Sequence, residues 1–178
     1  TTTLQSLSLK NGVYTNANLN NIHAKVIDIE SSDAADEQLI LNNKALQALS
    51  ISTNTTENKA FKLLNIANTS LHKLNVVENA DEAHSLKKII LNDKIDTLTL
   101  AGYLNKIVSL HESVELEGLS KLNRLRYFAY NPDFSAVATK DLPKNIEYLE
   151  VDGSGNVPYK DNDSFDYSHL TKLKVYSN

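Results

Sequence analysis

The chain has 178 residues, of which 41% are hydrophobic and 22% charged, the balance of an ordinary soluble protein. Its formal net charge of −4 gives no basic stripe of the kind that duplex-nucleic-acid binders carry, so no nucleic-acid partner is expected. Cysteine is absent, which excludes disulfides, thiolate metal sites and cysteine nucleophiles.

No apolar run approaches the roughly 18 residues of a membrane-spanning helix, so no membrane insertion is expected within this chain. No secretory signal is visible. The chain opens with Thr1, Thr2 and Thr3 and contains no Met, which suggests a piece of a longer polypeptide.

Taken in chain order, the dominant signal is a frame of the form apolar-x-x-apolar-x-apolar. It occurs at Leu4/Leu7/Leu9, Leu46/Leu49/Ile51, Leu71/Leu74/Val76, Ile95/Leu98/Leu100, Ile146/Leu149/Val151 and Leu170/Leu173/Val175. Looser copies lie at Ala24/Ile27/Ile29 and Leu125/Phe128/Tyr130. The copies are separated by 20, 22, 25, 24, 30, 21 and 24 residues. A period of this size through a whole chain is the mark of a repeat architecture. The alternation within each copy has a period of two and predicts a short strand.

The segments between copies predict short helices. Residues 34–46 carry Ala35, Leu39 and Leu46, with Asp36 and Glu37 near the start. Residues 57–66 carry Ala60, Phe61 and Leu64, and residues 81–91 carry Ala83, Leu86, Ile89 and Ile90. Acids near each start suit a helix N-terminus. The long connector 103–122 predicts two helical pieces broken near Gly118. Strand, helix and parallel strand make a right-handed crossover unit. One unit cannot bury its apolar face alone, whereas stacked units form continuous apolar columns.

The frame resembles that of leucine-rich repeat proteins over the full length. That family continues with Asn three residues after the last strand apolar position, where its side chain satisfies backbone groups in the turn. Asn54, Asn79 and Asn178 occupy that place here, with Asp133 and Ser154 as tolerable substitutes. Gly12, Ser32 and Tyr103 depart from it and predict irregular turns in repeats one, two and five. Leu142 and Pro143 ahead of Ile146/Leu149/Val151 match the bacterial style of the repeat.

The resemblance implies an α/β fold. It would be a curved right-handed solenoid with a concave parallel sheet and short helices or irregular turns on the convex side. Residues 1–178 would form a single domain of about eight repeats. Flanking sequence or a partner is expected to cover at least one end, because solenoids need polar caps.

Alternate strand residues should face out. The first five repeats offer mostly small polar groups, such as Ser6 and Ser8. Repeat six offers Tyr127, Ala129 and Asn131. The last repeats gather Tyr127, Tyr148 and Tyr176 with Glu150, Asp152, Lys172 and Lys174, and this patch is the candidate partner site. Exposed Tyr is enriched in protein interfaces. The competing reading is that Tyr simply favours strands and that Glu150 with Lys174 is a weak surface pair.

No catalytic constellation is evident. His23, His72, His84, His111 and His169 lack ligand or relay spacing, and His111 with Glu112 lacks the second His of a zinc-protease motif. Residues 152–156 are Gly-rich in a place where repeats turn. Residues 161–166 alternate acids, but the sixth and twelfth positions of a calcium loop would be Asp166 and Lys172, so the EF-hand match fails. That stretch reads as a solvated loop capping a short helix at 164–169, and calorimetric titration with Ca²⁺ decides the matter.

No cofactor, metal or enzymatic activity is therefore expected. The resemblance implies a non-catalytic recognition or adhesion module for a protein ligand, with a host or cell-surface protein as the expected partner and a secreted or cell-surface setting favoured. The alternatives are a substrate-recruiting domain of a bacterial effector enzyme without its catalytic domain, or a structural spacer.

Overall fold

A computed structural model describes residues 2–106, 113–132, 134–137, 139–152 and 167–176. The chain is a parallel-strand β-solenoid with very little helix. Eight strands form one sheet in strict chain order: Leu4–Lys10, Ala24–Glu30, Ala48–Asn54, Lys73–Asn79, Thr97–Ala101, Tyr127–Tyr130, Tyr148–Asp152 and Lys172–Tyr176. Repeats are numbered by these strands.

The repeated frame explains the sheet. Its second apolar position aligns Leu7, Ile27, Leu49, Leu74, Leu98, Phe128, Leu149 and Leu173 in one row. The third aligns Leu9, Ile29, Ile51, Val76, Leu100, Tyr130, Val151 and Val175. Interior members are almost wholly buried, and burying each such side chain contributes about 1.5–3 kcal/mol. Among the described residues the end strands have one neighbour each, and Leu4 and Leu173 each remain 44% exposed.

The helices expected at 34–46, 57–66 and 81–91 are not formed. Each segment instead contributes a short strand, Gln38–Ile40, Leu63–Asn65 and Lys88–Ile90, to a second, four-stranded parallel sheet completed by Glu115–Glu117. The inward pairs are Leu39 with Leu41, Leu64 with Ile66, and Ile89 with Leu91, all buried. These pairs have a period of two, not 3.6, and neighbouring repeats supply the backbone partners that a lone helix would have to find within itself.

In the long connector, Gly118 does break the chain, in the left-handed region at φ 93°. A strand, Glu115–Glu117, precedes it and a 3-10 turn, Leu119–Lys121, follows it; the rest of the expected first helical piece, at 107–112, lies outside the described residues. Among the described residues the only α-helix is Asn16–Asn21, capped by Thr15, whose Oγ1 accepts from Asn18 N at 3.0 Å. The helix expected at 164–169 is a 3-10 turn at Tyr167–His169 in its described part. The possible calcium loop 161–166 and the Gly-rich turn at 153–156 lie outside the described residues.

Turns one and two are irregular, with Asn11 at φ 55° and Ser31 at φ 49°. Ser32 nonetheless takes up a linking role: Gly12 N donates to its Oγ at 3.1 Å, and that hydroxyl donates to Glu30 O at 3.0 Å. Asn54 accepts from Thr56 N at 3.2 Å, and Asn79 accepts from Tyr103 N at 3.3 Å, in the next repeat. Turn five is tight because a Cβ on Gly102 would lie 2.5 Å from Glu78 O and 2.6 Å from the Phe134 ring. Asp133, Ser154 and Asn178 fall outside the described residues.

A second set of linking side chains precedes the large-sheet strands. Asn43 Nδ2 donates to Ile22 O at 2.8 Å. Asn92 Nδ2 donates to Leu71 O at 2.8 Å and to Thr69 O at 3.2 Å, while its Oδ1 accepts from Lys94 N at 2.8 Å. Both Asn side chains are buried, where unmet peptide groups would be costly.

Candidate functional site

The outward residues of the large sheet form rows across the repeats. One row reads Lys73, Thr97, Tyr127, Tyr148, Lys172, and the next reads Asn75, Thr99, Ala129, Glu150, Lys174. Parallel pairing brings six of the seven candidate residues onto one face. The seventh, Tyr176, pairs in register with Asp152, and its side chain lies outside the described part.

The rings of Tyr127 and Tyr148 stack with centroids 4.3 Å apart and planes 6° from parallel. The Tyr148 hydroxyl donates to Glu150 Oε1 at 2.7 Å. Lys174 Nζ lies 4.0 Å from the same oxygen. Lys172 Nζ lies 5.7 Å from the Tyr148 ring centroid, within cation–π range. Tyr148 is thus flanked by an aromatic ring on one side and a cation on the other. Beyond Tyr127 stands only the short side chain of Thr97, whose hydroxyl donates to Asp96 Oδ1 at 2.7 Å.

Tyr103 belongs to this group and was not among the expected residues. Its hydroxyl donates to Asp152 Oδ2 at 3.0 Å, bridging repeats five and seven. A cleft of about 120 Å³ lies beside it, lined by Thr99, Ala129, Glu150 and Asp152 among others. The hydrogen bond to Asp152 pushes the Tyr103 phenol above the usual tyrosine range, with smaller contributions from partial burial and the nearby carboxylates.

Two residues expected on the open face are buried. Ala129 is too short to clear its row neighbours Thr99 and Glu150. Asn131 turns to the preceding repeat, where Nδ2 donates to Gly102 O at 3.2 Å.

Among the described residues there is no cluster of three or more His, Asp or Glu side chains that could hold a metal ion. Nor, among them, is any helix long and apolar enough to cross a membrane. His72 pairs with Asp96, Nδ1 to Oδ2 at 3.2 Å, on a half-exposed surface. No family model matches the chain, and no curated protein or solved structure matches it.

Proposed function

We propose that the chain is a non-catalytic protein-binding module, built as a right-handed leucine-rich repeat solenoid of the bacterial type. Its ligand is a protein, engaged by the outer face of the eight-stranded sheet, which is the concave face in that family. The observation that carries this reading is the Tyr127–Tyr148 stack, set among Glu150, Asp152, Lys172 and Lys174. Such a patch offers large, rigid contact area with charges at its rim, the composition favoured at the centre of protein interfaces. A secreted or cell-surface setting, with a host or cell-surface protein as ligand, fits this reading.

The test is direct. The immobilised chain captures its partner from an extracellular or surface-protein extract, and the purified partner is titrated against wild type and the Tyr127→Ala/Tyr148→Ala variant. Affinity should fall at least tenfold in the variant, about 1.4 kcal/mol. Equal affinity for both would remove the patch from the interface and overturn the proposal.

A further inference from the structure

Among the described residues, the four-stranded sheet ends before the eight-stranded sheet does. Its last strand, Glu115–Glu117, pairs with Lys88–Ile90 and, among the described residues, with no strand on its other side. Glu115 N donates to Lys87 O at 2.9 Å, and Glu117 O accepts from Leu91 N at 3.0 Å. The peptide groups of both glutamates therefore face the existing sheet. Strand alternation turns the amide and carbonyl of Leu116 to the opposite side.

Two residues earlier on that same side, the next repeat still covers the edge. Val114 N donates to Phe134 O at 2.9 Å, and Val114 O accepts from Ser135 Oγ at 2.7 Å. At Leu116 no described residue continues that cover, and a cleft of about 420 Å³ opens between Leu116, Gly118, Ser135 and Val137. The side chains report the same break. Leu64 and Ile89 are fully buried, whereas Leu116, next in their column, stays partly exposed.

The rim of the cleft is acidic, with Glu115 and Asp141 exposed, and Glu117 is exposed on the same strand. The neighbouring strand shows what suits such an edge. Lys88 stands in register with Glu115, and its Nζ lies 3.2 Å from Glu117 Oε1.

We propose that this edge binds an extended segment of a partner protein with the pattern basic–apolar–basic, added as a fifth strand. The segment's backbone bonds the amide and carbonyl of Leu116. Its apolar side chain continues the column Leu39, Leu64, Ile89, Leu116. Its basic side chains lie across from Glu115 and Glu117. Strand addition takes affinity from main-chain bonds and specificity from alternate side chains, and opposite charges across a strand pair add to it. The site is separate from the tyrosine face.

Fluorescence anisotropy with a short labelled peptide centred on lysine–valine–lysine tests the proposal. Wild type should bind it saturably. Binding should weaken at least tenfold for the same peptide N-methylated throughout its central triplet, and for a glutamate–valine–glutamate peptide. Of the backbone groups, Leu116→Pro removes only the amide that faces away from the sheet, a position where edge strands accept proline. It should weaken binding as strongly, with an unchanged circular dichroism spectrum. Tyr127→Ala should bind the peptide as wild type does. Failure of the lysine peptide to bind saturably, or equal binding of the N-methylated or glutamate peptide, would overturn the proposal whatever happens at the tyrosine face.

Discussion

The hydroxyl of Tyr148 donates to Glu150, two residues further along the same face of the same strand, at 2.7 Å. This bond is the first cause of a phenol pushed well above its ordinary value; desolvation, the Glu150 charge and Tyr127 add to it. A group whose folded value is raised contributes stability that is complete below its unfolded value, about 10 for tyrosine. That contribution is lost as pH climbs through the folded value. Ultraviolet titration of wild type against Tyr148→Phe should therefore place the missing phenol above the remaining exposed tyrosines, and Glu150→Gln should bring it down. A difference spectrum developing at ordinary tyrosine pH would exclude the bond.

Position within the stack should decide the cost of a core truncation. Leu98 sits in repeat five with strands on both sides and is fully buried, whereas Leu173 lies in the last strand and is 44% exposed. Leu98→Ala should cost about 2–5 kcal/mol in urea unfolding. Leu173→Ala should cost less than about 1 kcal/mol, since far less surface is lost from burial. Equal losses would mean that the last strand is not as open as described.

Asn92 holds three backbone groups with one buried side chain. Asn92→Ala leaves the Leu71 and Thr69 carbonyls and the Lys94 amide without it, and should cost about 1–3 kcal/mol. Hydrogen exchange should rise first at Lys94. A variant as stable as wild type would show that water replaces the side chain without loss.

Glu78 is the main buried acid of the described core, 1% exposed and facing inward between Thr53 and Gly102 in the stack. Its carboxylate accepts from the amides of Ser85 and Leu86. Burial raises its pKa above 4.5, and the two amides and Lys87 only partly oppose the rise. The folded state thus holds the proton more tightly than the unfolded state. Stability from this group is complete below about 4.5 and is lost as pH rises through the folded value. Urea unfolding midpoints between pH 4 and 7 should fall with pH relative to Glu78→Gln. A constant difference between the two proteins would contradict the raised value.

The large sheet is legible in the sequence because its signal is local and repeated: apolar residues two apart at positions such as Leu74/Val76 and Leu98/Leu100. Parallel pairing then follows from the spacing, and with it the Tyr127–Tyr148 and Glu150–Lys174 neighbours. The second sheet escaped because each of its strands is three residues long, too short to separate from a helical pattern by periodicity. A signal was nonetheless present. Leu39, Leu64 and Ile89 are spaced by 25 residues, as are Leu41, Ile66 and Leu91, with Ile40, Asn65 or Ile90 between the members of each pair. Tyr103 escaped for a different reason. Its partner Asp152 is 49 residues away, across a whole intervening repeat, and no short-range rule reaches that far. The burial of Asn131 is likewise set by the neighbouring Gly102 carbonyl and not by its own position in the frame.

The early end of the four-stranded sheet makes the molecule mechanically lopsided. Repeats two to five are tied to their neighbours by two sheets, while the strands at Tyr127–Tyr130, Tyr148–Asp152 and Lys172–Tyr176 are tied among the described strands by one, with the bonds of Phe134 and Ser135 to Val114 as the last described link on the second edge. Since each repeat leans only on those beside it, tension applied between the ends would not be shared evenly. The chain would unzip from its C-terminal side, one strand at a time, and the tearing would stall on reaching Glu115–Glu117, where a second seam must be opened at every step.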